Sequence, residues 1–243
     1  TIVEEGYFTK DVHWTKDKSP YILEGIFELS SQAKLTIGEG VTVTSASSSD
    51  GGFYGLLVLN GGLDAIGTKE EPIRFIKLST VYAIKDSKIK HAIFENAVFA
   101  TGVGTTIISH SKMSGAVRAI DAVGSVIDIR DSEISNNKTG ISSYPYIKYP
   151  GSILQSTQNI ITVHNTSFEG NTLYSIRNTS PNAIDARENW WGSANGPGTS
   201  VYGTVTSDPW LVTYPEFKED EVRHEVQCCS NVLFLPGFQA SRL

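Results

Sequence analysis

Cysteine, methionine and positive charge are the scarce features of this chain. Its 243 residues include two cysteines and one methionine. The cysteines, Cys228 and Cys229, are adjacent and near the end, so no disulfide between them can tie distant parts of the chain together. The thiol-free stretch before them fits an extracellular bacterial protein. The acids outnumber the bases, 26 against 20, for a formal net charge of -6, and no run of Lys or Arg breaks that balance. A nucleic-acid partner or an anionic membrane surface needs a basic patch to displace counterions, so both are excluded as expectations. No stretch of about 18 apolar residues is present, so no membrane span is expected. Long amphipathic helical patterns are also missing. The numbering opens on Thr1, which fits a mature secreted or cell-surface chain.

Short apolar bursts between turn formers are what the chain has instead. Leu35-Thr36-Ile37, Val41-Thr42-Val43, Leu57-Val58-Leu59 and Ile73-Arg74-Phe75 are bounded by Gly, Asn, Ser and Asp. That is the grammar of strands and turns. With 40% apolar and 19% charged residues, the composition supports a real core and argues against disorder.

A degenerate repeat organises these bursts. Five segments superpose: Ile89 to Asn96, Ile108 to Gly115, Ile129 to Asn136, Val163 to Gly170 and Ala186 to Gly192. Each reads apolar, variable, variable, small or polar, variable, large apolar, variable, then Asn or Gly, with the last Gly one place early. The large apolar positions are Phe94, Met113, Ile134, Phe168 and Trp191, spaced by 19, 21, 34 and 23 residues. A repeat of about 20 residues or more suits one coil of a solenoid, and stacked coils sit about 4.8 Å apart, the spacing of paired strands. Residues of one phase then point inward and lie over their own kind. The large residues form one interior ladder, and Ala92, Ser111, Ser132, Thr166 and Asn189 line a tight inward corner. The terminal Asn and Gly suit a turn with left-handed backbone. The expected fold is therefore all-β, a single-stranded right-handed parallel β-helix.

The interval of 34 residues marks an insertion of about 13 beyond the neighbouring spacings. Ser142 to Gly151, with three tyrosines and two prolines, is its expected site, a protruding loop. Trp190 and Trp191 are expected to cap the apolar end of the stack.

Pro20-Tyr21-Ile22-Leu23-Glu24-Gly25 and Ala33 to Val43 resemble the opening of bacterial secreted, pectin-lyase-like β-helix proteins. Leu56 to Asn60 and Gly61 to Phe75 continue in that style. Ala186-Arg187-Glu188-Asn189-Trp190-Trp191-Gly192, with Gly196-Pro197-Gly198 and Asp208-Pro209-Trp210-Leu211, is similar to the ending of many such domains. The resemblance spans about residues 10–212 and implies a fold, not an activity, because this architecture hosts lyases, glycosidases, adhesins and inert stalks. A second resemblance covers Ser230 to Leu243, which looks like the first strand and oxyanion loop of a lipase- or esterase-like α/β-hydrolase. It implies that Phe238 and Gln239 stand where backbone N–H groups bind an oxyanion. No G-x-S-x-G motif occurs in the chain. The expected organisation is a β-helix over 1–212, a charged linker over 213–229 and the start of a hydrolase-like domain over 230–243.

Three constellations carry possible chemistry. Asp121, Asp128 and Asp131, with Arg118 and Arg130 nearby, are the carboxylates that a polysaccharide lyase or glycoside hydrolase would need to bring together. His91, His110 and His164 fall at nearby phases, and stacked imidazoles bind metal when a carboxylate or thiolate completes the set. No completing residue is evident, so neither metal nor other cofactor is expected. Tyr144, Tyr146, Lys148 and Tyr149 form the third group, a platform on which sugar faces could stack. Thr-x-Thr occurs at Thr42-Val43-Thr44 and Thr204-Val205-Thr206, far short of an ice-binding array. The expected role is a non-catalytic module, a spacer or a binder of polysaccharide or cell-surface glycan, ahead of a hydrolase domain in the same chain. The alternative is a polysaccharide lyase or glycoside hydrolase working on one β-face.

Overall fold

The computed structural model describes residues 1–46, 55–145 and 159–219. The chain winds as a parallel β-helix, as the repeat predicts. Among the described residues, three sheets of seven, nine and nine strands run along the stack, and every strand pair is parallel. One coil shows the pattern. Ala92–Glu95 lies in sheet 1, Val98–Thr101 in sheet 2 and Thr105–Ser109 in sheet 3. Strands this short follow from the sequence, because two to six residues of alternating apolar and polar character are closed off by turn formers. A 3-10 turn at Lys16–Lys18 is the helical element among the described residues, and no described helix is long and apolar enough to cross a membrane.

Phe94, Met113 and Ile134 lie in direct register in sheet 1. Bridges from Glu133 to Ser167 and from Ser167 to Trp190 carry the register on to Phe168 and Trp191. All five are buried. The ladder also extends upward through Phe75, Val43 and Tyr21, three coils that the repeat alone did not align. Phe75 stacks on Phe94 at 4.5 Å and Phe168 on Trp191 at 5.0 Å between ring centroids, the offset contact aromatic rings favour. A second interior ladder in sheet 3 joins Trp14, Ile37, Ala65, Ile89, Ile108, Ile129 and Val163.

The small column is an inward corner with a clear hydrogen-bond logic. Ser111 Oγ accepts the Ala92 N–H, Ser132 Oγ that of Ser111, and Asn189 Oδ1 that of Thr166. The same side chains donate to their own chain two residues back, Ser111 to Ser109, Ser132 to Arg130 and Asn189 to Arg187, as does Thr166 to His164. Each buried group gains a partner where the strand ladder is interrupted. The corner also forces left-handed backbone on the preceding residue. His91, His110, Asp131, Asn165 and Glu188 all have φ between 47° and 57°. The repeat's terminal turn is left-handed too, through Asn96, Gly115, Asn136 and Gly170. Gly115 and Gly170 suit this turn on two counts. A Cβ there would lie 2.5 Å from Asn96 Oδ1 or 2.4 Å from Asn136 Oδ1, as well as at unfavourable φ.

The insertion sits where the 34-residue interval placed it, between the sheet 2 strand Thr139–Tyr144 and the sheet 3 strand Ile160–His164. Its beginning differs from the expectation. Ser142, Ser143 and Tyr144 are strand residues, and the two serines are buried, because the sheet 2 ladder from Arg118–Val123 continues through them. Trp191 joins the apolar end as expected. Trp210 closes over it, with its Nε1–H donated to the Ala194 carbonyl at 3.1 Å and its ring against the Cα of Gly196.

Candidate functional site

The outer face of sheet 2, near the insertion, gathers the aromatic and charged groups most suited to binding. Tyr144 ends the strand Thr139–Tyr144, and Arg177 and Tyr202 lie on the following two coils in direct register with each other. The Arg177 guanidinium stands 5.8 Å from the Tyr144 ring centroid and 5.8 Å from that of Tyr202. Tyr174 approaches Tyr202 at 5.6 Å. A guanidinium held by two rings is worth about 0.5–1 kcal/mol per contact at an exposed site, enough to favour one orientation of a long side chain. Tyr202 is 50% exposed, and Tyr144, Tyr174 and Arg177 are partly exposed.

Beneath the tyrosines the face is polar and incompletely satisfied. Asp121, Ser142 and Arg177 follow one another in register. Arg118 Nε donates to Asp121 Oδ2 at 2.8 Å. Asp121 Oδ1 and Ser142 Oγ are buried without a hydrogen-bond partner. Burial holds the Asp121 carboxyl above its ordinary range, against the opposing pull of Arg118.

Local packing fixes Tyr144 in place. Asn159, the first described residue after the insertion, is 3% exposed. Its Nδ2 donates to the carbonyls of Ala122 and Tyr144 and to Ser143 Oγ, and its Oδ1 accepts the Ser125 N–H. One buried amide therefore clamps both ends of the insertion to the coil above. Tyr146, Lys148 and Tyr149, the other members of the expected platform, lie outside the described residues, as do Phe238 and Gln239 and the two cysteines.

The candidate carboxylates do not converge. Asp121 is on sheet 2, Asp128 on sheet 3 and Asp131 at the corner between sheets 3 and 1. Each pairs locally: Asp121 with Arg118, Asp128 with Arg130, and Asp131 with Asn165 Nδ2. A different carboxylate, Asp185, joins Asp128 on the outer face of sheet 3, with Thr162 between them in register. Two strand steps separate the pair by about 10 Å. Asp185 is clasped by Arg187 through Nε at 2.9 Å and Nη2 at 2.7 Å, and His164 Nε2 lies 3.2 Å away without hydrogen-bond alignment. The Arg187 guanidinium, helped by His164, holds the Asp185 carboxyl well below the usual carboxylate range. A general acid needs the opposite shift. The carboxyl that burial raises, Asp121, faces away on sheet 2.

The His91 and His110 rings lie 5.0 Å apart between centroids, tilted by 39°, and His164 is one position out of phase, in register with Arg130. Among the described residues no group of three or more His, Cys, Asp or Glu side chains is arranged to hold a metal ion. Thr42-Val43-Thr44 and Thr204-Val205-Thr206 lie on different sheets.

No family model, curated protein or solved structure matches the chain. The β-helix therefore stands on the structure itself, and functional readings on the geometry of its faces.

Sequence reasoning identified Tyr144 and missed Tyr174, Arg177 and Tyr202. A signal for them existed. Gly140-Ile141-Ser142-Ser143 and Ser175-Ile176-Arg177-Asn178 are the same strand one coil apart, and aligning them places Arg177 over Ser142.

Proposed function

We propose that this β-helix is a non-catalytic extracellular module that holds a polysaccharide or cell-surface glycan against the outer face of sheet 2, around Tyr144, Tyr174, Arg177 and Tyr202. The observation that carries the reading is the Arg177 guanidinium set between the rings of Tyr144 and Tyr202 on a partly exposed face. Sugar rings present flat apolar C–H faces that stack on aromatics, and their hydroxyls take hydrogen bonds from fixed polar groups. A rigid coil stack suits such recognition, because its side chains recur at a constant step as residues recur along a glycan. On this reading the module is secreted or displayed at a bacterial surface and precedes a lipase- or esterase-like domain that begins near Ser230.

A lyase or hydrolase acting on a β-face is supported less well. The described carboxylates with opposite shifts, Asp121 and Asp185, lie on different sheets, and Asp185 is tied up by Arg187.

A glycan array probed with the full chain and with Tyr202→Ala tests the binding reading. Retention of at least one glycan class is expected, weakened about tenfold in the variant, as loss of one aromatic contact of ~1.4 kcal/mol requires. No retained glycan, or equal retention by both proteins, refutes it. The hydrolase reading is tested by sequencing the coding DNA beyond Leu243. A G-x-S-x-G motif is expected, and a stop codon before one would dismiss the second domain.

A further inference from the structure

The chain holds two Asn–Gly pairs, Asn60-Gly61 and Asn195-Gly196. Asparagine is among the thermally labile residues of proteins. A following glycine, having no Cβ, leaves its own peptide nitrogen unhindered and its backbone free to turn. That nitrogen can then attack the asparagine Cγ. The fold sets the two pairs in opposite surroundings.

Asn60 follows the sheet 2 strand Leu56–Leu59 and is half-buried. Its N–H donates to the Leu29 carbonyl at 3.1 Å, and its Nδ2 donates to Glu28 Oε1 at 2.8 Å. Main chain and amide are thus both held by the coil above. Gly61 is packed so closely that a Cβ would fall 1.7 Å from the Ala33 carbonyl oxygen. Bringing the Gly61 nitrogen to Cγ needs that coil contact to part. Asn195 lies in an exposed turn at the Trp210 end of the stack, and its side-chain amide has no hydrogen bond among the described residues. One turn bond, from the Gly196 N–H to the Ser193 carbonyl at 3.2 Å, holds the reacting nitrogen. Glycine suits that last place in the turn, at φ 80°. An exposed turn closed by one bond opens locally at little cost, whereas a coil contact opens only with its neighbours.

We infer that Asn195 is a site of spontaneous deamidation, with water as the co-reactant, and that the change loosens the Trp210 cap. Hydroxide takes the proton of the Gly196 peptide nitrogen, whose electron pair forms a bond to Asn195 Cγ. The Cγ–Nδ2 bond breaks, ammonia leaves with a proton from water, and a cyclic imide remains. Water adds to one of the two imide carbonyls, giving aspartate or isoaspartate at position 195. Amide and water become carboxylate and ammonium overall. In the isoaspartate product the main chain runs through the former side chain and is one methylene longer, so the turn from Ser193 to Gly196 loses its spacing. The Trp210 cap rests on that turn. Its ring lies against Gly196, and its Nε1–H is donated to the Ala194 carbonyl. Trp210 packs on the apolar end of the stack, which a solenoid has to keep covered.

Peptide mapping by mass spectrometry of the full chain, aged at pH 8 in buffer and in urea, tests this. Each native rate is divided by the rate of the same pair in urea, which removes the effect of sequence neighbours. The ratio for Asn195 is expected to exceed that for Asn60 by at least about tenfold, as a difference of ~1.4 kcal/mol in opening free energy gives. In the converted fraction the Trp210 indole N–H should exchange faster with solvent. Asn195→Gln, whose longer side chain closes the imide ring far more slowly, should keep the slow exchange after the same ageing. Equal ratios at the two pairs, no conversion at Asn195, or unchanged Trp210 exchange in the converted fraction overturns the proposal, as does the same faster exchange in aged Asn195→Gln.

Discussion

Replacing Phe94 by Ala removes an inner rung of the sheet 1 ladder. Phe94 has no exposed surface, stacks on Phe75 at 4.5 Å and meets Phe99 edge-on at 5.7 Å. Coils above and below hold Phe75 and Met113 in fixed register, so the surroundings have little freedom to collapse into the space. A Phe→Ala change in such a core costs about 3–5 kcal/mol, the upper part applying where relaxation is blocked. For a chain of this size that lowers the melting temperature by on the order of 10 °C. Urea unfolding followed by far-UV circular dichroism measures the loss, with Glu95→Ala as the control. Glu95 is the next residue on the same strand and points to solvent, so its change should stay within about 0.5 kcal/mol. A cost below about 1 kcal/mol for Phe94→Ala, or an equal cost for Glu95→Ala, would refute the argument that interior ladders stabilise the stack.

Asn189→Ala strips an acceptor from the buried Thr166 N–H and donors from the Val163 and Arg187 carbonyls. At ~1–3 kcal/mol per orphaned buried group, chemical denaturation should show a loss of at least about 2 kcal/mol, and a neutral result would contradict the corner's hydrogen-bond logic. Asp121→Asn should stabilise the chain at pH 7. The folded state binds the Asp121 proton more tightly than the unfolded state, because burial raises the carboxyl. That contribution is present at pH below the ordinary carboxylate value and is lost as pH rises through the folded value. The gain in melting temperature should therefore disappear near pH 3, and a gain independent of pH would assign it to another cause.

Much of the fold was legible because the chemistry of one coil recurs visibly in the next. Phe94, Met113, Ile134, Phe168 and Trp191 are unlike one another in shape, yet all are large and apolar at one phase, and that was sufficient. The upper rungs Tyr21, Val43 and Phe75 were not aligned, because their coils lack the terminal Asn or Gly. Lys77 takes the left-handed position after Phe75, and Lys carries no turn signal. The shared phase of His91 and His110 was legible, but the left-handed backbone at that corner was not. His91, His110, Asp131, Asn165 and Glu188 share a backbone conformation without sharing a residue type. The candidate face was only partly visible, since strands of three sheets alternate along the chain and Asp121 and Asp128, seven residues apart, end on different faces. Tyr144 was expected within the protruding loop and instead ends the strand before it. Arg177 and Tyr202 became its neighbours through register across coils of unequal length, which composition cannot supply.

The central functional claim is that the face bearing Tyr144, Tyr174, Arg177 and Tyr202 is where a glycan rests. Backbone and ring chemical shifts, followed while an oligosaccharide retained on the array is titrated into the isotope-labelled chain, locate the contact. The account predicts saturable shifts centred on those four residues, with Asp128, His164 and Asp185 on sheet 3 left unmoved. Shifts centred on the sheet 3 carboxylates, or none at any concentration, would contradict it.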